Sequence, residues 1–119
     1  MIEPIQFTDS WGDTFPIILY KTYENGFLEI GAAADEGEGF DDYAMITTFV
    51  EPLPEGMAVL DTNNAKDFCD ALVTSGDAIL MGSTRSGYCT YPIASFTCGF
   101  LDSLPTHEEL ADYIESLEG

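Results

Sequence analysis

A chain of 119 residues that is 45% hydrophobic, with eight Phe, six Tyr and one Trp, can bury one core without disulfide or metal staples. Its 22 Asp and Glu face only Lys21, Lys66 and Arg85, for a formal net charge of -19. Three scattered cations cannot build the basic patch that nucleic acid requires, and the charge repels anionic lipid, so direct binding of nucleic acid or membrane is not expected.

High charge alone does not make a disordered chain; low hydrophobicity is also needed, and it is missing here. One folded domain over residues 1–119 is expected, with no linker and no internal repeat. Cys69, Cys89 and Cys98 form no Cys-x-x-Cys pair and none is followed by His, which argues against structural zinc. They read as buried thiols acting as small hydrophobes. No apolar run approaches the roughly 20 residues that span a bilayer, and the first residues lack the basic start and apolar core of a signal peptide. A cytoplasmic location is therefore expected.

In chain order, residues 17–23 (IILYKTY) form a β-branched and aromatic run that predicts a strand. Asn25-Gly26 follows, then Phe27-Leu28-Glu29-Ile30; Asn-Gly between two such runs predicts a hairpin, because both residues tolerate positive φ. Residues 35–42 (DEGEGFDD) read as an exposed acidic loop, and 43–50 as a third strand with Met45, Thr47 and Phe49 alternating against Ala44, Ile46 and Thr48. Residues 51–56, with Pro52 and Pro54, read as a turn, and 57–60 as a short strand. Asn64 is expected to cap a helix whose apolar face is Ala65, Phe68, Cys69 and Leu72, with Gly76 as its stop. A short strand at 79–81, a loop at 82–87 and a strand at 88–96 follow, Pro92 marking an edge or a bulge. Thr106 and Glu109 form a capping box for a last helix with the apolar stripe Leu110, Tyr113, Ile114 and Leu117. The sum is an α+β fold: an antiparallel sheet of about five or six strands with one inserted and one C-terminal helix, the helices covering one face.

Residues 51–58 (EPLPEGMA), 61–64 (DTNN) and 85–92 (RSGYCTYP) resemble a family of short bacterial proteins, a domain-of-unknown-function family of Gram-positive gut bacteria often found on mobile elements. The resemblance covers about residues 27 to 96, the later two motifs being the more specific. The acidic segment and the last helix lie outside it. It implies a bacterial cytoplasmic protein of the kind carried by a phage or conjugative element, and it brings no catalytic residues.

The first candidate site is the acidic surface: Glu108, Glu109, Asp112, Glu115 and Glu118 on the last helix, and Asp35, Glu36, Glu38, Asp41 and Asp42 in the loop. Five acids over ten steps of about 1.5 Å approach the 3.4 Å axial spacing of phosphates on one DNA strand. A basic or nucleic-acid-binding protein is the partner such a row would suit, with DNA mimicry or inhibition of a host defence as its sharp form and a merely solvated helix face as its plain one. The loop departs from the EF-hand order of acids and glycine, so no metal is expected. The alternative is a ligand or enzyme site near Asp61, Asn63, Asn64, Arg85, Ser86, Tyr88 and Tyr91, where a glycine-bracketed loop could offer backbone donors to an anion. Against it, Gly-Lys-Ser/Thr is absent, Asp61 to Asn64 suit a turn and a cap, and a lone Arg in so acidic a chain is expected to pair with a nearby carboxylate. No cofactor is expected. His107, the only histidine, sits in the first turn of the last helix, a poor place for a catalytic pair, and no carboxylate pair stands out. Phe27, Phe40, Tyr43, Phe49, Tyr88, Tyr91, Phe96 and Phe100 are expected in the core.

A net charge of -19 opposes compaction through self-repulsion that salt screens over about 8 Å at 0.15 M and 3 Å at 1 M. The melting temperature should therefore rise with added NaCl and more steeply with divalent cations. A melting temperature flat across the salt series would contradict this.

Overall fold

The strand-forming runs begin earlier and extend further than the sequence pattern marks. The computed structural model describes residues 2–9, 11–24 and 26–118, except for the side chains of Glu24 and Glu118. In chain order these hold β1 (Ile5–Thr8), β2 (Thr14–Glu24), β3 (Phe27–Asp35), β4 (Phe40–Met45), β5 (Thr47–Thr48), β6 (Met57–Leu60), α1 (Lys66–Ser75), β7 (Ala78–Ser86), β8 (Cys89–Phe96), α2 (Cys98–Ser103) and α3 (His107–Glu118). All strand pairings are antiparallel, and the class is α+β as expected. The strands form two four-stranded sheets rather than one of five or six, ordered β1-β2-β3-β4 and β5-β6-β8-β7.

The split occurs at Ile46. The β3–β4 ladder ends at Gly31↔Met45, and the chain then turns into the second sheet. Ile46 N–H still donates to the Ile30 carbonyl at 2.9 Å, while the Ile30 N–H donates to Thr47 Oγ1 at 3.1 Å. From the other side, Asp61 N–H donates to the Ile46 carbonyl at 2.8 Å. Thr47 is the one buried polar side chain among the described residues, and it lies between fully buried Ile30 and Ile46. The expected alternation through 43–50 fails here, because consecutive residues Ile46 and Thr47 are both enclosed where the strand changes sheets.

The main core lies between the sheets. Phe15 and Ile17 of β2 and Leu28, Ile30, Ala32 and Ala34 of β3 meet Ala58, Leu60, Ala78, Ala94 and Phe96 of the second sheet, with Phe68, Cys69 and Leu72 of α1 and Phe100 of α2. Period two then places Ile18, Tyr20 and Ala33 on the opposite face of the first sheet, and Leu110 of α3 covers them with Tyr113 and Ile114 packed alongside. The helices therefore lie on both faces of the first sheet, and β3, covered on both, reads as a run of small apolar residues. β1 spans only Ile5↔Ile17 to Thr8↔Thr14, so the rest of that flank of β2 is free, and Lys21 N–H donates to the Pro105 carbonyl at 2.9 Å as the chain enters α3.

Local signals explain the ends. Asn25 lies outside the described residues, but Glu24↔Phe27 is the last pair and Gly26 has φ 84°, as a two-residue turn requires. Gly76 stops α1 in the left-handed region, and Thr106 and Glu109 form the expected box, with Thr106 N–H to Glu109 Oε1 at 3.0 Å and Glu109 N–H to Thr106 Oγ1 at 3.2 Å. Asn64 does not cap α1: Ala65 holds that position, and Asn64 turns its amide to the Asp61 carboxylate. Residues 82–86 are strand rather than loop, in a β7–β8 ribbon whose turn is Gly87-Tyr88. Pro92 sits just past Val59↔Ile93, where the β6 ladder has ended, and near the Leu80/Gly82 irregularity, so its missing N–H costs no bond to β6. Leu117 projects exposed, and of the three cysteines only Cys69 is buried.

Replacing Thr47 by Val would leave the Ile30 N–H buried without an acceptor, at a cost of about 1–3 kcal/mol. Urea unfolding should show that loss for Thr47→Val and a clearly smaller one for Thr47→Ser, which keeps the hydroxyl. Equal losses for the two would show that the hydroxyl carries no weight.

Candidate functional site

The expected acidic surface divides into parts with different roles. In α3, 100° per residue places Glu108, Asp112 and Glu115 on the outward ridge, away from Leu110. Glu109 lies on a flank and is engaged with Thr106; those hydrogen bonds, with help from Lys21, hold its carboxyl below the usual carboxylate range. The side chain of Glu118 lies outside the described residues. In the hairpin between β3 and β4, Asp35 Oδ1 accepts from the N–H groups of Gly37 and Gly39 at 2.8 and 3.1 Å, so this carboxylate closes its own turn. Glu36 and Glu38 are exposed at the tip. The loop is shorter than expected, since Phe40, Asp41 and Asp42 already belong to β4. No group of three metal-ligating side chains occurs among the described residues.

β4 and α3 meet across a groove of about 180 Å³ lined by Ala33, Phe40, Asp41, Asp42, His107, Leu110, Ala111 and Ile114. This groove joins the two halves of the acidic surface. Beneath it Tyr20 is buried; its hydroxyl donates to Asp42 Oδ1 at 3.3 Å, and its ring lies 5.2 Å from that of His107. Burial, then the Asp42 charge and the hydrogen bond to it, push the Tyr20 phenol from 10.0 up to about 12. The ring fits because its cross-strand partner is Gly31, where a Cβ would come within 2.5 Å of Tyr20 Cζ and Oη.

The alternative site is only partly assembled. Asn63 Nδ2 donates to Tyr91 Oη at 3.1 Å and to Cys89 Sγ at 3.3 Å, and Asp61 holds Asn64, so the 61–64 turn does meet β8. Arg85 does not join them. It pairs with Thr90 in register, which puts its side chain on the opposite face of the ribbon from Tyr91 and Cys89. It also lacks the expected carboxylate partner: Lys66–Asp70 at 2.6 Å is the one ion pair among the described residues. Ser86 shares the face of Cys89, and Tyr88 stands fully exposed at the turn. Of the aromatic residues expected in the core, Phe96 and Phe100 are there, whereas Phe49 and Tyr88 are exposed and Tyr43 is at the margin.

Two features were not expected. Asp9 Oδ1 accepts from the N–H groups of Trp11 and Asp13, both at 2.9 Å, and this turn holds Trp11 88% exposed over a cleft of about 510 Å³ shared with Tyr43, Asn63, Asn64 and Asp67. A smaller, apolar groove of about 230 Å³ lies between Phe27, Phe49, Leu53, Met57 and Val59. An isolated Gly inside a strand was the available signal for the Tyr20 packing; nothing local marks the cleft, which joins segments far apart in sequence. Compared with protein-family models, curated proteins and solved structures, the chain has no match in any of the three. No helix among the described residues is long and apolar enough to cross a membrane.

The raised Tyr20 pKa sets a pH dependence. The neutral phenol is favoured in the fold, so this stability is intact below pH 10 and is lost as pH rises from about 10 to 12. Denaturant midpoints should fall over that interval more steeply for the native chain than for Tyr20→Phe. Parallel declines would place the alkaline sensitivity elsewhere.

Proposed function

We propose that this protein is an interaction module that holds a basic segment of another protein against the face built by α3 and β4. One observation carries the reading: Asp41 and Asp42 line one side of a groove whose other side is α3, the helix that bears the Glu108, Asp112 and Glu115 ridge, and no Lys or Arg lines that groove. The two lysines are engaged elsewhere, Lys21 Nζ with the Leu101 carbonyl at 2.7 Å and Lys66 with Asp70. The acidity of this face is therefore uncompensated, and its field steers and retains cationic partners.

Glu108 to Glu115 spans seven steps of about 1.5 Å, so three charges are spread over about 10 Å. That is sparser than the phosphates of a DNA strand. It favours a general basic-segment binder, with a nucleic-acid-binding protein of a host or rival element as one natural partner given the mobile-element resemblance. The same charge makes direct nucleic acid or lipid binding unfavourable.

The test compares the native chain with Glu108→Gln/Asp112→Asn/Glu115→Gln in a salt-graded pull-down from bacterial lysate, followed by titration of the retained protein. Each exposed charge contributes about 0.5–1 kcal/mol, so the triple variant should lose about ten-fold or more in affinity. Binding should also weaken with salt. Retention indifferent to both the variant and salt would remove the proposal.

A further inference from the structure

The sheets expose four edge strands, and three are guarded in recognised ways. β1 is four residues long and β5 only two. β4 carries the charges of Asp41 and Asp42. The fourth, β7, is nine residues long, has no strand on its outer side and carries one register irregularity, between Leu80 and Gly82, but no acid. Every second residue there directs its N–H and C=O outward without a ladder partner. Its Ile79, Leu80 and Met81 are 51%, 53% and 57% exposed, three consecutive large apolar side chains on an open edge.

Charge identifies the occupant. No Asp or Glu occurs between Asp77 and Asp102, the longest acid-free run of this chain, and it contains both strands of the β7–β8 ribbon. A basic strand would find no carboxylate along β7 and would meet Arg85. A second copy of the chain, of the same net charge, meets little repulsion along this edge. Antiparallel pairing about a two-fold axis at Gly82 sets two strands with no acid between Ala78 and Ser86 side by side, so the contact adds no carboxylate pair to a chain of net charge -19.

We propose that the protein forms a two-fold dimer in which β7 pairs antiparallel with β7 of a second copy, joining the two β5-β6-β8-β7 sheets into one sheet of eight strands. The outward N–H and C=O groups of both edges gain ladder partners. Because the remaining surfaces repel, dimerisation strengthens with salt, opposite to the capture of a basic segment.

Sedimentation equilibrium from micromolar to millimolar chain concentration, at low and high NaCl and with reductant present because Cys89 and Cys98 are exposed, tests this. The expected result is a species of twice the 13.0 kDa chain mass, its dissociation constant smaller at high salt. Met81→Glu, an exposed position whose variant should keep the native circular dichroism, should weaken the dimer by about ten-fold or more, since it sets two like charges close together across the two-fold axis. A monomer at every concentration and salt, open-ended association, or a dimer indifferent to Met81→Glu would each overturn the proposal.

Discussion

The hydrogen bond from the Ile30 N–H to Thr47 Oγ1 is the constraint on which the rest of the structure rests. At this point β3 has lost β4 as a neighbour, and the site is closed to water by Ile30 and Ile46. A backbone N–H buried there needs an acceptor, and a strand departing for another sheet cannot supply one from its own ladder. The Thr47 hydroxyl takes that role, which lets the chain cross between sheets inside the core rather than around its rim. Once β5 and β6 stand in a second sheet, side chains of both sheets meet those of α1 and α2 in one core. The far face of the first sheet is then left for α3.

That division of faces also sets the electrostatics. α3 can be intensely acidic because only its Leu110 stripe faces protein, and its first turn is charged in the sense that the helix dipole favours. Tyr20 ties this outer layer to the sheet. Its ring rests over Gly31, its hydroxyl reaches Asp42 on the edge strand, and its neighbour Lys21 anchors the chain entering α3. The acidic groove thus sits on a braced support, and its walls come from two elements fixed to the same strands.

Where a residue's role is set by its near neighbours in the chain, the sequence was readable. Gly26 in its hairpin, the Thr106–Glu109 box, the Gly76 stop and the buried face Phe68, Cys69 and Leu72 all follow from local chemistry. The partition into two sheets was not readable, because Thr47 looks like any alternating strand residue until Ile30 stands beside it. The tip half of β7 reads as a loop because the ribbon is exposed on both faces and shows no apolar period to mark it. Asn64 has the chemistry of a cap but is drawn away by Asp61, its neighbour three positions back. For the site, the acids themselves were legible, but their grouping was not. That Asp42 shares the face covered by α3, that Asp35 is used up in its own turn and that Arg85 leaves the opposite face from Tyr91 all depend on register.

The acidic face and the acid-free edge belong to different sheets, which bears on how they act together. α3 covers the outside of the first sheet, whereas β7 closes the far side of the second, so occupying one does not obstruct the other. A dimer joined through β7 displays two acidic grooves in a fixed relation. A basic partner that is itself two-fold, as many nucleic-acid-binding proteins are, then meets both at once, and the second contact forms at a high effective concentration. Weak, salt-screened attractions at single grooves become firm retention without any buried ion pair. The opposing salt dependences would balance: at low ionic strength the grooves attract strongly while the copies repel, and as salt screens both, the dimer gains the stability that supplies the second contact.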